Sequence, residues 1–337
     1  MKRVHYRFLP LLLTVLLLLS STAGVASASQ AVPKRQYHCY TCLGDSIAAG
    51  FGIKKNPDGT FAVPRWEFVP NTYPAEVRDD LGCENAHMLA FSGFRTIETL
   101  RLLDPDFEKT LSPKALRLSN YILQTMEITS EEFRKIRSEA ADDIRKSDLI
   151  SINLGNNDVL SSSDHRSAIW KEDHPKSLHC QIHDWADTLS QYGEAGEEMR
   201  QIVQNNQKIF ELSAFRLVGF QDYMTYWDQL IETIRAMNPT ATIVVVGMYN
   251  PVHNWTGADW NPVPIGRSAD LTVDLVNLYT SRASKVRHEY TFVDVPDTDI
   301  KPIPPVKDKN FFYSFVVQIH PTEKGHRYIA DQILKSI

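Results

Sequence analysis

Five short runs of apolar, β-favouring residues are spaced along the chain, each closed by Gly, Asn or Asp. They are YHCYTCL (37–43), HMLAFS (87–92), DLISINLG (148–155), ATIVVVGMYNP (241–251) and EYTFVDV (289–295). Runs of this length followed by turn formers are the pattern of strands buried on both faces. Helical periodicity fills the spaces between them. Thr129-x-x-Glu132 is a capping box, and behind it Phe133, Ile136, Ala140 and Ile144 fall on one face. Tyr223, Trp227, Leu230, Ile231 and Ile234 form a second face that Pro239 stops, and Ile329, Ile333 and Ile337 line a last one. Strands alternating with helices predict an α/β fold, a mostly parallel five-stranded sheet covered on both sides. Two stretches exceed what strand connections need: 104–147 reads as helical, and 160–215 is polar with no strand. Loops at the carboxyl ends of parallel strands surround the site in such sheets. The second stretch, which follows the third strand, is therefore either a lid or an extra helical layer packed elsewhere.

The first residues stand outside this pattern. Lys2, Arg3 and Arg7 precede a nearly continuous apolar run from Phe8 to Leu19, and Ala26-Ser27-Ala28 offers a small-x-small cleavage site. This reads as a secretory signal peptide, residues 1–28, cleaved after Ala28, leaving one domain over 29–337. The apolar run is shorter than the roughly 20 residues a spanning helix needs, and no later stretch qualifies. No cysteine follows the cleavage site, which argues against a lipid anchor. The expected location is extracytoplasmic or secreted. Export permits disulfides among Cys39, Cys42, Cys83 and Cys180, whose three full pairings stay open. Cys39-x-x-Cys42 has a redox spacing but sits in a strand rather than at a helix start, so buried thiols or one structural bridge is the reading. With 43% hydrophobic residues in 337 and a formal net charge of -5, the chain can bury a sizeable core and lacks the basic footprint of a nucleic-acid binder.

Four segments bring residue types that perform chemistry. CLGDSIAAGFG (42–52) puts Ser46 at a turn between a strand and a helix, without the Gly-x-Ser-x-Gly spacing of a lipase elbow. FSGFRT places Gly93 just past the second strand, LGNND places Asn157 just past the third, and IHPTEKGH places His320 before the last helix. In a parallel sheet these loops share one edge, so distant segments converge on one pocket. Such a pocket has the parts of an acyl-transfer site. Ser46 attacks the carbonyl and His320 takes and returns the proton. The backbone N–H groups of Ser46 and Gly93, with the Asn157 amide, form the oxyanion hole. Neither metal nor cofactor is invoked.

These blocks resemble the SGNH (GDSL-type) hydrolase family, in the order GDSIAAGFG, SGFRT, GNND and HPTEKGH, and YPAEVRDDLG (73–82) and GMYNP (247–251) are similar to secreted bacterial members. The resemblance implies a flavodoxin-like three-layer α/β/α sandwich and metal-free hydrolysis of esters or thioesters. It places the family roles on Ser46, Gly93, Asn157 and His320. One position departs. Members usually carry an Asp three residues before the histidine, and here that residue is Val317. Replacing the acid of a serine-protease triad costs about 10⁴ in rate, roughly 5 kcal/mol. A backbone carbonyl near 317–319, or Asp294, Asp297 or Asp299 on the preceding loop, is the expected substitute.

Other chemistry-bearing residues have plainer readings. His179 and His183 have an i,i+4 spacing suited to zinc, but no Glu sits beside the first, so a polar helix face is expected. His326 caps or packs the last helix. Trp66, Trp170, Trp185, Trp255 and Trp260 are packing residues or the walls of a sugar or acyl cleft, and Asn254-Trp255-Thr256 is a glycosylation sequon. The sequence thus points to a secreted serine esterase acting on a small-molecule, lipid or polysaccharide ester. An SGNH-derived binding protein with weak catalysis and an acyltransferase to carbohydrate hydroxyls are the alternatives.

Overall fold

The structure is a computed structural model that describes residues 35–159, 189, 193–212, 214–253, 265–286, 288–296, 300 and 319–337. Strands β1 (Cys39–Gly44), β2 (Asn85–Ala90), β3 (Leu149–Asn153), β4 (Thr242–Val246) and β5 (Thr291–Val293) form one sheet. All neighbours are parallel and the order is β2-β1-β3-β4-β5. That order is flavodoxin-like, and it turns back on itself between β1 and β3. Gly44 lies opposite both Ala90 and Asn153, so the carboxyl ends of β1, β2 and β3 stop level with one another.

The helices are α1 (Ser46–Ala49), α2 (Tyr73–Leu81), α3 (Thr96–Leu103), α4 (Pro113–Thr125), α5 (Ser130–Lys146), α6 (Asn156–Val159), α7 (Gly193–Asn205), α8 (Gln207–Leu212), α9 (Ala214–Met237), α10 (Ile265–Val286) and α11 (Glu323–Ser336). Period-two alternation along the strands divides the core. Leu43, Leu89, Ile150, Ile152, Ile243 and Val245 point into a large cluster with the buried faces of α3, α5, α9 and α10. Tyr40, Cys42, Met88, Ala90, Val244 and Val246 point the other way, towards α1, α2 and α11. The result is three layers with a sheet buried on both sides.

Local signals set the boundaries. Thr129 caps α5 by accepting from the Glu132 N–H at 3.1 Å, and Ser112 with Pro113 starts α4. Phe133, Ala140 and Ile144 are buried on α5, as are Tyr223, Trp227, Leu230, Ile231 and Ile234 on α9. The stretch 104–147 is helical, as expected. Its elements are stapled by Arg101, which donates to Glu108 at 2.8 Å and to Ser119 at 2.5 Å, while Arg137 pairs with the same Glu108. Of 160–215, the described part 193–212 is helical. No helix among the described residues is long and apolar enough to cross a membrane. Residues 1–28, Cys180 and the sequon Asn254-Trp255-Thr256 lie outside the described residues. Cys39, Cys42 and Cys83 are free thiols.

Candidate active site

The chain leaves β1 through a constricted turn. A Cβ at Gly44 would come within 2.5 Å of Ala48 Cβ and 2.8 Å of the Asn153 carbonyl oxygen, so only glycine fits. Asp45 follows, fully buried, with its N–H donating to that carbonyl at 3.1 Å. Its side chain caps α1 by accepting from the Ile47 N–H at 2.9 Å. Ser46 is then the first residue of α1. Its Oγ lies 2.7 Å from Nε2 of His320, which enters from the loop before α11. The Tyr249 hydroxyl donates to the Ile319 carbonyl at 2.8 Å, and the Phe51 ring packs 4.9 Å from the imidazole. His320 is 2% exposed.

The second and third loops meet beside this pair. Gly93 has φ +81°, a conformation that favours glycine, and Met126 covers its α-carbon. Gly155 has φ +113° and turns the chain from β3 into α6. There, three consecutive side chains diverge. Asn156 Nδ2 donates to Asp45 Oδ2 at 3.1 Å. Asn157 Nδ2 donates to the Phe94 carbonyl at 3.0 Å, which holds its amide against the residue after Gly93. Asp158 Oδ2 accepts from the Thr96 N–H at 3.2 Å and from the Thr96 hydroxyl at 3.3 Å. The loops bearing Ser46, Gly93 and Asn157 are thus tied to one another at one sheet edge, and His320 is bonded to Ser46.

The model of the GDSL-like Lipase/Acylhydrolase family matches residues 42–328. The chain belongs to the GDSL-like lipase/acylhydrolase family. It is accordingly an ester hydrolase of the SGNH type. Among solved structures, the extracellular lipase from Streptomyces rimosus is similar at 17% identity and a TM-score of 0.51, over 89% of this chain and 99% of that one. Phospholipase A1 from Streptomyces albidoflavus follows at 16% identity and TM-score 0.48, over 89% and 100% of the two chains. A carbohydrate esterase family 2 enzyme from Corynascus (Myceliophthora fergusii) is similar at 17% and 0.43, over 90% and 65%. A search of curated proteins finds no match.

Several residues of this GDSL-like acylhydrolase take parts that its sequence did not announce. Burial pushes the Asp45 carboxyl up to about 7, against the pull of its bonds from Ile47 and Asn156. The turn signal was legible in Gly-Asp-Ser, but the bond to Asn156 required β1 and β3 to be neighbours. Arg95 and Glu98 form an ion pair at 2.7 Å, 1% and 0% exposed, and the Glu98 carboxylate also accepts the Arg95 N–H at 2.9 Å. This capping box fixes the start of α3 right after the glycine loop. The Trp66 ring packs tilted against Phe91, with centroids 4.6 Å apart, and its indole N–H donates to Glu132 at 3.0 Å, so it packs the end of the strand that carries the glycine loop. His326 is fully buried and accepts the Tyr73 N–H at 3.3 Å, which caps α2 rather than its own helix. Desolvation, then the nearby His320, lowers its pKa to about 3.

Asp294 is exposed just past β5. Val317, Asp297, Asp299, His179, His183, Trp170, Trp185, Trp255 and Trp260 lie outside the described residues. No cluster of potential metal ligands occurs among the described residues.

Proposed function

We propose that the protein is an exported serine esterase that hydrolyses carboxylic esters, acyl or acetyl, on lipids or polysaccharides through an acyl-enzyme on Ser46. The observation that carries this reading is the 2.7 Å contact between Ser46 Oγ and His320 Nε2, the geometry a general base needs to take the hydroxyl proton. Ser46 Oγ attacks the ester carbonyl while His320 Nε2 takes its proton. The carbonyl oxygen gains negative charge and meets the N–H groups of Ser46 and Gly93 and an N–H of the Asn157 amide. Collapse expels the alcohol, which receives the proton from His320. Water then repeats the sequence on the acyl-enzyme and releases the acid. The N-terminal segment 1–28 serves as the export signal, and the mature domain is 29–337 with helical insertions at about 104–147 and 160–215. The orienting partner of the His320 ring is a backbone carbonyl at 317–319 or a carboxylate of the 294–299 loop.

A fluorophosphonate probe tests the nucleophile, since only an activated serine reacts. The secreted protein should be labelled at Ser46 and should hydrolyse p-nitrophenyl esters. Ser46→Ala should fold normally and lose both properties. Turnover at the parental rate in that variant would remove Ser46 from the mechanism, and a parental protein that binds esters without labelling would be a binding module. Product analysis with a sugar acceptor separates hydrolysis from acyl transfer.

A further inference from the structure

We propose that Asn156 and Asp45 form a positioning pair that holds the serine turn and the oxyanion amide in mutual register, so that Asn156, through Asp45, sets the rate of acyl transfer. This rests on the assignment of Ser46 and Asn157 above. Three observations carry it. Asp45 is buried without exposure and spends one carboxylate oxygen on each side of the gap, Oδ1 on the Ile47 N–H at 2.9 Å and Oδ2 on Asn156 Nδ2 at 3.1 Å. The backbone bond between the two segments, from the Asp45 N–H to the Asn153 carbonyl, lies on the far side of Gly155, whose φ is +113°. Between that anchor and Asn157 the chain therefore passes a glycine, the residue with the least conformational restraint. Finally, Asn157 and Asp158 bind the glycine loop and α3. The Asn156–Asp45 bond is a side-chain link from α6 to the serine turn.

An oxyanion hole built from separate segments works only if its donors sit about 2.7–3.1 Å from one point. A displacement of about 1 Å costs on the order of 10² in rate. The Asn156 amide donates to Asp45, so on this reading it acts by position. Breaking the bond should lower kcat with little change in KM, because the donors matter most when charge develops on the substrate oxygen.

The test uses p-nitrophenyl butyrate and the mature protein. Asn156→Ala leaves every backbone bond in place. Asn156→Asp sets a second acceptor against the Asp45 carboxylate, and Asp45→Asn, which keeps a good helix cap, is the other half of the swap. Asn156→Ala and Asn156→Asp should each lower kcat by about tenfold to a hundredfold, with KM within about twofold, and Asp45→Asn less, because the Asn156 amide can turn over to accept. The swapped pair, Asp45→Asn with Asn156→Asp, restores one donor and one acceptor, and should recover kcat to within about fivefold of the parent. Thermal melts confirm that each variant folds. A swap as slow as the product of its two single variants would overturn the proposal, as would Asn156→Ala at the parental kcat. Ser46→Ala run alongside tells the two levels apart. If it stays active, the nucleophile assignment fails and this inference with it. If it is dead and the swap shows no coupling, only the pairing fails.

Discussion

The Asn157 amide has two N–H groups, and the bond to the Phe94 carbonyl at 3.0 Å uses one while fixing the plane of the other. Asn157→Ala should therefore lower kcat by about 10²–10³, the usual loss for one oxyanion donor. Steady-state kinetics on a soluble ester decide it, and a change confined to KM would make Asn157 a binding residue only. Ser46, Gly93, Asn157 and His320, the residues of the proposed site, stood out in the sequence because each is a chemically informative residue directly after a strand or before a helix. Asp45 and Asn156 were not, since a polar residue beside a glycine reads as turn chemistry until its partner is known. His326 was only partly legible for the same reason. It packs the last helix, as its place in HPTEKGH suggested, but its bonded partner, the Tyr73 N–H, is 253 residues away.

At the scale of elements, the strand centres matched the apolar runs but the ends did not. The run 241–251 yields only Thr242–Val246. Beyond it the Met248 N–H donates to Asn277 Oδ1 at 2.8 Å and Asn277 Nδ2 returns the bond to the Met248 carbonyl at 2.8 Å. A side chain of α10 has replaced the strand neighbour there, and no local pattern encodes that exchange. Helix starts were more legible, since caps are local. Thr129→Ala should destabilise the fold by about 1 kcal/mol by removing the α5 cap, measurable by urea denaturation. Gly155→Ala should cost more, about 1–3 kcal/mol. Its φ of +113° is strained for any side chain, and the new methyl would meet Met248 Sδ at 3.0 Å and the Tyr223 ring at 3.1 Å. The same denaturation curves test it, and a loss no larger than that of Thr129→Ala would mean that the turn relaxes freely.

For the molecule as a whole, two buried groups pull stability in opposite directions with pH. Asp45 holds its proton to about 7 in the folded state against 3.8 ordinarily. Folding thus takes up a proton between those values, and stability falls as pH rises through that window. His326 is the reverse, at about 3 folded against 6.5 ordinarily. The unfolded chain binds the extra proton, so stability is lost as pH falls from 6.5 towards 3. Relative to the parent, Asp45→Asn should gain stability as pH is raised from about 4 to 7, and His326→Phe should gain as it is lowered from about 6.5 to 3. Denaturation midpoints across that range check both, and parallel curves for all three proteins would refute the linkage. The α/β architecture at this scale was legible from strand–helix alternation alone, and the strand order followed from the resemblance rather than from any residue pattern. The contact between Ser46 and His320 spans 274 positions, and this has a consequence in time. On the proposed mechanism, the segment with the nucleophile leaves the ribosome long before the segment with its base. A nascent chain carrying every strand of the sheet but not α11 and the loop before it would then hold an inert hydroxyl. Hydrolytic competence would arrive only when the last helix docks.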